Sequence, residues 1–310
     1  MPYLAAEASI VGRIAASRAR SSALTAKLAF LRPAEVPSFV PMQDCSNGRD
    51  DPRKAKQGTQ AWIEARRGRL TASSFAAALG FFGPGEQQKA LTNRCTHART
   101  DGSLWGEMHE QSALMTYLTS FLLPRCPDAR LLETGFWPCE LRSCQFVPPV
   151  SSGASPDGLV EASTLIGSGG AILEVKCPYN SGKPKAWPRL SARLMPQLQG
   201  TLQATGRDIC HVITWAPSGA FVFEVQKDAA FQRSMASALA RAVSAAQQGR
   251  PFTAEESDQV ADVRARSRTM ADASVCLQHV ETQNCVRAPV STRSWPDESS
   301  CISIWDSASS

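Results

Sequence analysis

The stretch Ala171-Ile172-Leu173-Glu174-Val175-Lys176-Cys177 alternates apolar and polar side chains, and it constrains the fold more than any other part of the chain. On a strand, alternate side chains take opposite faces. Leu173, Val175 and Cys177 therefore share one side, while Glu174 and Lys176 share the other. Upstream, Gly158-Leu159-Val160-Glu161-Ala162 reads as a second strand, joined to the first through a Gly/Ser-rich turn at 163–170. The hairpin carries Asp157, in the Ser-Pro-Asp-Gly stretch that leads into the earlier strand, toward the Glu174/Lys176 face.

Two carboxylates held close repel one another unless a cation or a proton lies between them. A hard divalent ion with oxygen ligands resolves the repulsion, which points to Mg²⁺, with Mn²⁺ as its substitute. Zinc fits poorly. The ten cysteines include no Cys-x2-Cys pair, and His97, two residues after Cys95, has no partners to complete four ligands. They read as free thiols in a reducing compartment. Lys176 could then orient or deprotonate an attacking water, or steady charge developing on phosphorus. A plain Asp-Gly turn would also account for Asp157, and a solvated ion pair for Glu174 and Lys176.

A third acid stands on the helix that starts near Gly106. Glu110 precedes Ala113, Leu114, Tyr117 and Leu118 at helical spacing and so shares their inward stripe. A carboxylate there is costly unless paired or metal-bound, although a position near a helix start also favours an acid. Glu107 falls on the wet face.

The organisation around these residues is mixed α/β. Residues 33–58 read as a linker, with structure beginning near Thr59. Short helices follow around Trp62–Arg66 and over 71–80, then a loop at 81–104 and the Glu110 helix. Short strands are expected at 131–137 and 144–150, a helix at 189–205, strands at Ile209–Ala216 and Ala220–Val225, and a long Ala-rich helix from Asp228 to Gly249. This divides the chain into a basic extension with linker (1–58), a catalytic domain (59–250) and a disordered acidic tail (251–310). The domain should be a central mixed sheet of four or five strands flanked by helices. Trp105, Trp187 and Trp215 could stack on DNA but read as packing residues.

Net charge is +5, and the segment Glu255–Ser310 holds nine acidic against five basic residues, so the remaining body is the basic part. That balance suits a polyanionic partner. No apolar run approaches the ~18 residues of a membrane helix. Residues 1–34 are rich in Ala, Ser and Arg, as organellar transit peptides are. A basic, loosely helical extension has the same composition. The expected location is inside the cell, in the nucleus or in a mitochondrion or plastid.

Five motifs stand in order across residues 59–250. They are Trp62-x3-Arg66-x-Gly68-x2-Thr71-Ala72-Ser73, then Gly106-x3-Glu110, Ser155-Pro156-Asp157-Gly158, Leu173-Glu174-Val175-Lys176-Cys177-Pro178, and Pro196-Gln197-Leu198-Gln199-x4-Ala204-Thr205-Gly206. Together they resemble the YqaJ-like viral recombinase family, related to phage lambda exonuclease within the PD-(D/E)XK nuclease superfamily. The resemblance implies a restriction-endonuclease-like core. It also implies metal ligation by Asp157, Glu174, the Val175 carbonyl and Glu110, with Lys176 as the catalytic lysine. Gln197 would sit beside the site, and Arg66 and Ser73 would bind a phosphate. Gln199 is turned away from Gln197 by about 200° on the helix. The implied activity is hydrolysis of DNA at duplex ends, 5′ to 3′, leaving a strand for a single-strand annealing protein, with a homo-oligomer as the working form. An endonuclease on the same core, a DNA-binding module with a weak site, and a small-molecule enzyme that shares only the Glu-x-Lys strand are the competing readings. No motif reads bases, so no sequence specificity is expected.

Overall fold

The computed structural model describes residues 36, 38–42, 51–92, 100–143, 147–162, 170–180 and 182–287. The basic segment 1–34, turn residues 163–169, Cys45, Cys95, His97, Cys144 and the chain from residue 288 onward lie outside the described residues.

The strands are β1 (Phe39–Val40), β2 (Leu70–Thr71), β3 (Arg130–Leu132), β4 (Trp137–Leu141), β5 (Val150–Ala154), β6 (Gly158–Glu161), β7 (Ala171–Lys176), β8 (Tyr179–Asn180), β9 (Lys183–Pro184), β10 (Ile209–Ala216), β11 (Gly219–Gln226) and β12 (Val275–Glu281). A seven-stranded mixed sheet runs in the order β1-β3-β6-β7-β10-β11-β12. β7 pairs parallel with β10 and antiparallel with β6. A smaller sheet, β2-β5-β4, and the β8-β9 hairpin complete the pattern.

The helices are α1 (Gln60–Arg66), α2 (Phe75–Ala78), α3 (Pro84–Leu91), α4 (Asp101–Tyr117), α5 (Met195–Thr205), α6 (Ala229–Gln247) and α7 (Ala254–Asp272). α4 continues through a π-turn at Leu118–Leu122. Period-two alternation sorts the sheet's two faces. Leu173 and Val175 join Ile213, Trp215 and Val222 against α4, whose Ala113, Leu114 and Tyr117 are buried with them. Ile172 joins Cys210, Val212 and Phe223 against Met195, Leu198 and Leu202 of α5. Beyond α5, α6 and α7 share a further apolar cluster with α2, α3 and the small sheet. The expected mixed sheet flanked by helices is present.

Both edges of that sheet come from segments expected to be linker and tail. β1, within 33–58, pairs parallel with β3. Pro52 and Arg53 accept backbone hydrogen bonds from Phe136 and Gly135, so the start of the fold moves upstream of Thr59. At the other end, residues 251–310 are not a wholly disordered tail. α7 opens on a Thr253/Glu256 capping box, with Glu256 also gripped by Arg250 at 2.7 Å. Its buried stripe is only Val260, Val263, Ser267 and Ala271 beside the Glu256 cap, too narrow to stand out in a polar sequence. β12 then pairs antiparallel with β11. These two edges raise the strand count from the expected four or five to seven.

Four local expectations shift. The run 131–137 breaks between β3 and β4, because Gly135 packs onto backbone: a Cβ there would meet the Ala55 carbonyl at 2.3 Å. The strand expected at 144–150 starts only at Val150, after Pro148 and Pro149, which cannot donate to a ladder. Within the expected loop at 81–104, Pro84 at a helix start launches α3. The helix expected from residue 189 begins in earnest at Met195, after a 3-10 turn at Ala192–Leu194.

One buried polar pair crosses the core between α4 and β10. The Tyr117 hydroxyl and His211 Nδ1 lie 2.6 Å apart, and burial pushes the His211 pKa down to about 4. An unfolded histidine titrates near 6.5, so the unfolded chain takes up a proton that the fold refuses as pH falls from about 6.5 to 4. Stability conferred by neutral His211 is complete above that window and lost as pH drops through it. Thermal melts should therefore show a falling midpoint between pH 6.5 and 4, and His211→Gln should flatten that slope while lowering the midpoint at pH 7.

Candidate active site

The antiparallel β6-β7 register sets Gly158 opposite Leu173, which brings Asp157, just ahead of β6, to the level of Glu174. Its close fit is local: a Cβ on Gly158 would stand 2.7 Å from Leu131 Cδ1, so the residue after Asp157 has no room for a side chain. Val175 N donates to Asp157 Oδ2 at 2.6 Å, fixing the carboxylate across the hairpin. On the same face, Lys176 Nζ donates to Glu174 Oε1 at 2.6 Å, and Gln197 Nε2 of α5 donates to that same oxygen. Glu174 is only 2% exposed, and its Oε2 is buried without a hydrogen-bond partner.

Burial, the Glu174 charge and the Glu110 charge hold the Asp157 pKa well above the carboxylate range, against Lys176 and the Val175 amide. Lys176 shows the opposite balance. Burial alone would depress it, but Glu174 and Asp157 outweigh burial and raise its pKa above the ordinary lysine value. The site is thus two crowded acids and a lysine held firmly as a cation.

These groups open onto a cavity of about 220 Å³. Arg66 of α1 and Ser73, at the turn before α2, line its other side with Trp62, Thr71 and Ser155. The Arg66 guanidinium lies 4.1 Å from the centre of the Trp62 ring, and burial lowers its pKa to about 10. Among the described residues it has no acidic partner. Trp62 is itself fixed by donating Nε1 to Ser155 Oγ at 2.9 Å. A larger cavity of about 280 Å³, between β5 and α6, is lined by residues such as Leu70, Ala90, Pro149 and Val243 and contains no ionisable side chain.

The structure gathers Asp157, Glu174, Lys176, Gln197, Arg66 and Ser73 around one cavity. Glu110, half-buried on α4, is near enough to raise the Asp157 pKa but does not line that cavity. Among the described residues no three His, Cys, Asp or Glu side chains form a metal-binding group. Gln199 takes no part in the site: its amide donates to the Gln226 carbonyl at 2.7 Å and its oxygen accepts from Asp228 N at 3.0 Å, tying α5 to the start of α6. Trp105 and Trp215 are core residues, 6% and 0% exposed.

The comparisons with known proteins bear on this geometry. Residues 61–208 match the YqaJ-like viral recombinase domain. All six cavity residues above fall inside that match. Among solved structures, the chain is similar to the crystal structure of LHK-Exo in complex with dAMP at 20% identity, with TM-score 0.39, over 69% of this chain and 97% of that one. It is also similar to the crystal structure of SSO0001 at 10% identity, with TM-score 0.36, over 62% and 84% of the two chains. No curated protein matches it.

One cavity residue lies outside the YqaJ-like domain and was hidden in the expected linker. Gln57 donates its amide to the Thr134 carbonyl at 3.1 Å and the Pro156 carbonyl at 2.9 Å, pinning the residue before Asp157. A glutamine in a polar, structureless stretch carries no sequence signal for that role. Removing both bonds strands two half-buried carbonyls, each costing about 1 kcal/mol. Gln57→Ala should lower unfolding free energy by about 1–3 kcal/mol in urea titrations. Gln57→Glu, which sets a carboxylate against the same two carbonyls beside Asp157, should destabilise at least as much as Gln57→Ala.

Proposed function

We propose that the protein is a metal-dependent DNA exonuclease that hydrolyses phosphodiester bonds at duplex ends, 5′ to 3′, in recombination or repair. The observation that carries this reading is the pair of carboxylates Asp157 and Glu174, with a buried, unpartnered Glu174 oxygen and a lysine cation, around one cavity. The Arg66 guanidinium, without an acidic partner among the described residues, lines the same cavity.

The residues fit a hard dication. All candidate donors are oxygens, one of them is buried and unsatisfied, and burial, followed by the Glu174 and Glu110 charges, raises the Asp157 pKa. Asp157, Glu174 and the Val175 carbonyl would hold Mg²⁺, with Glu110 behind Asp157 and waters filling the remaining positions; Mn²⁺ would substitute. When bound, the ion supplies an activated water and stabilises charge on the attacking and leaving oxygens.

The chain's own residues divide the remaining work. Lys176, ion-paired with Glu174 at 2.6 Å, would orient or deprotonate the attacking water, or offset charge on the phosphoryl oxygens. Gln197 braces Glu174 from α5. Arg66, 4.1 Å from the Trp62 ring centre, would bind a phosphate, with the Ser73 hydroxyl lining the same cavity. The resulting single strand would pass to an annealing protein, with a homo-oligomer as the working form.

Digestion of 5′- and 3′-labelled linear duplexes and closed circles with Mg²⁺, Mn²⁺ or Ca²⁺ tests the reading. Linear DNA should shorten from 5′ ends with Mg²⁺ or Mn²⁺, and EDTA, Asp157→Ala or Lys176→Ala should abolish it. Cleavage of closed circles would shift the assignment to an endonuclease, and undiminished activity in those variants would remove the site. A second prediction needs no substrate. Asp157→Asn deletes a repelled buried charge, so it should melt higher than the parent without metal. Mg²⁺ should raise the parent midpoint and leave that variant unmoved.

A further inference from the structure

Between Glu174 and Asp208 the chain contains no acidic residue, while Lys183, Lys185, Arg189 and Arg193 fall within eleven positions of one another. Among the described residues none of these four cations forms a salt bridge. The segment that carries them is anchored at both ends in the active site. It leaves β7 just after Lys176 and returns through the 3-10 turn at Ala192–Leu194 into α5, one turn ahead of Gln197. Its middle is tied down where Thr214 Oγ1, the register partner of Lys176, donates to the Trp187 carbonyl at 2.8 Å. The four exposed cations are therefore carried on a segment whose two ends adjoin the cavity residues Lys176 and Gln197.

An aromatic residue stands at the end of that path. Phe82 is 49% exposed, one of three large apolar side chains so exposed among the described residues. The Arg193 guanidinium lies 5.1 Å from its ring centre. Neighbouring Phe81 is held from behind by Arg264 of α7, at 5.4 Å, a helix outside the YqaJ-like domain. An exposed aromatic ring beside Arg193, at one end of a segment whose cations form no salt bridge among the described residues, matches the two needs of single-stranded nucleic acid, a surface for a base and counter-charge for a backbone.

We propose that Phe82 and the Lys183–Arg193 segment form a binding track for single-stranded DNA: Phe82 stacks on a base, and Lys183, Lys185, Arg189 and Arg193 line the adjoining phosphates. The inference rests on the nuclease reading for why the strand is there. It adds that the site takes hold of an unpaired strand, not only of a duplex end.

The test is binding of a labelled single-stranded oligonucleotide to the full chain in EDTA, followed by anisotropy, so that cleavage plays no part. Phe82→Ala should weaken binding about tenfold and Phe82→Trp should restore it, as expected for one stacked base. Replacing the four cations with alanine should make the logarithmic salt dependence shallower by about 0.7 per cation. Oligonucleotides carrying one abasic position at successive places should show a single position where the Phe82→Ala penalty vanishes. Unchanged affinity in Phe82→Ala, or a penalty that no abasic position removes, overturns the track. Track-dependent binding by a protein that cuts no DNA with Mg²⁺ would leave the track standing and remove the nuclease reading instead.

Discussion

Asp157 and Glu174 are held together by the β6-β7 register although their charges oppose it. The hairpin ladder fixes Gly158 opposite Leu173, and the Val175 amide clasps Asp157. A one-residue slip would turn Leu173 and Val175 out of the α4 core and carry Glu174 into it. Apolar burial on two sides therefore enforces an electrostatic arrangement that isolated carboxylates would avoid. Leu173 and Val175 secure the register from the α4 side, and Ile172 secures it from the α5 side. The sheet core and the candidate site are one construction: the same alternation that packs the strand places the acid and the lysine.

That coupling explains which parts were legible in sequence. The alternation at 173–177 and the Ser-Pro-Asp-Gly start of the preceding strand contain both the register and the acids, so the hairpin and the grouping of Asp157, Glu174 and Lys176 were legible. Gln197 and Gln199 separate by helical phase, and the structure gives them the two different surroundings that phase requires. Arg66 and Ser73 were reached through the family motif, since a basic cluster such as Glu64-Ala65-Arg66-Arg67 contains nothing that distinguishes a cavity-lining arginine from a solvated one.

What was not legible depends on contacts distant in sequence. β1 has two residues and β12 is mostly exposed, so neither produces a period strong enough to separate it from coil. Each exists because a formed strand offers it a free ladder: β3 for one, β11 for the other. α7 is held by a capping box and a thin buried stripe against neighbours already in place. Gln57 is the same kind of case at the site, a polar side chain whose role is defined by two carbonyls some eighty to a hundred positions away.

The electrostatics of the site also narrow the role of its lysine. With both acids close, proton loss from Lys176 would leave their repulsion unanswered, and the raised pKa measures that resistance. A dication beside the same carboxylates would supply the compensating charge, weaken the hold on the lysine proton and lower the Asp157 pKa together. Lys176 is thus the counter-ion that the fold itself supplies to Glu174, and Gln197, bonded to the same Glu174 oxygen as the lysine, holds that carboxylate in place from α5.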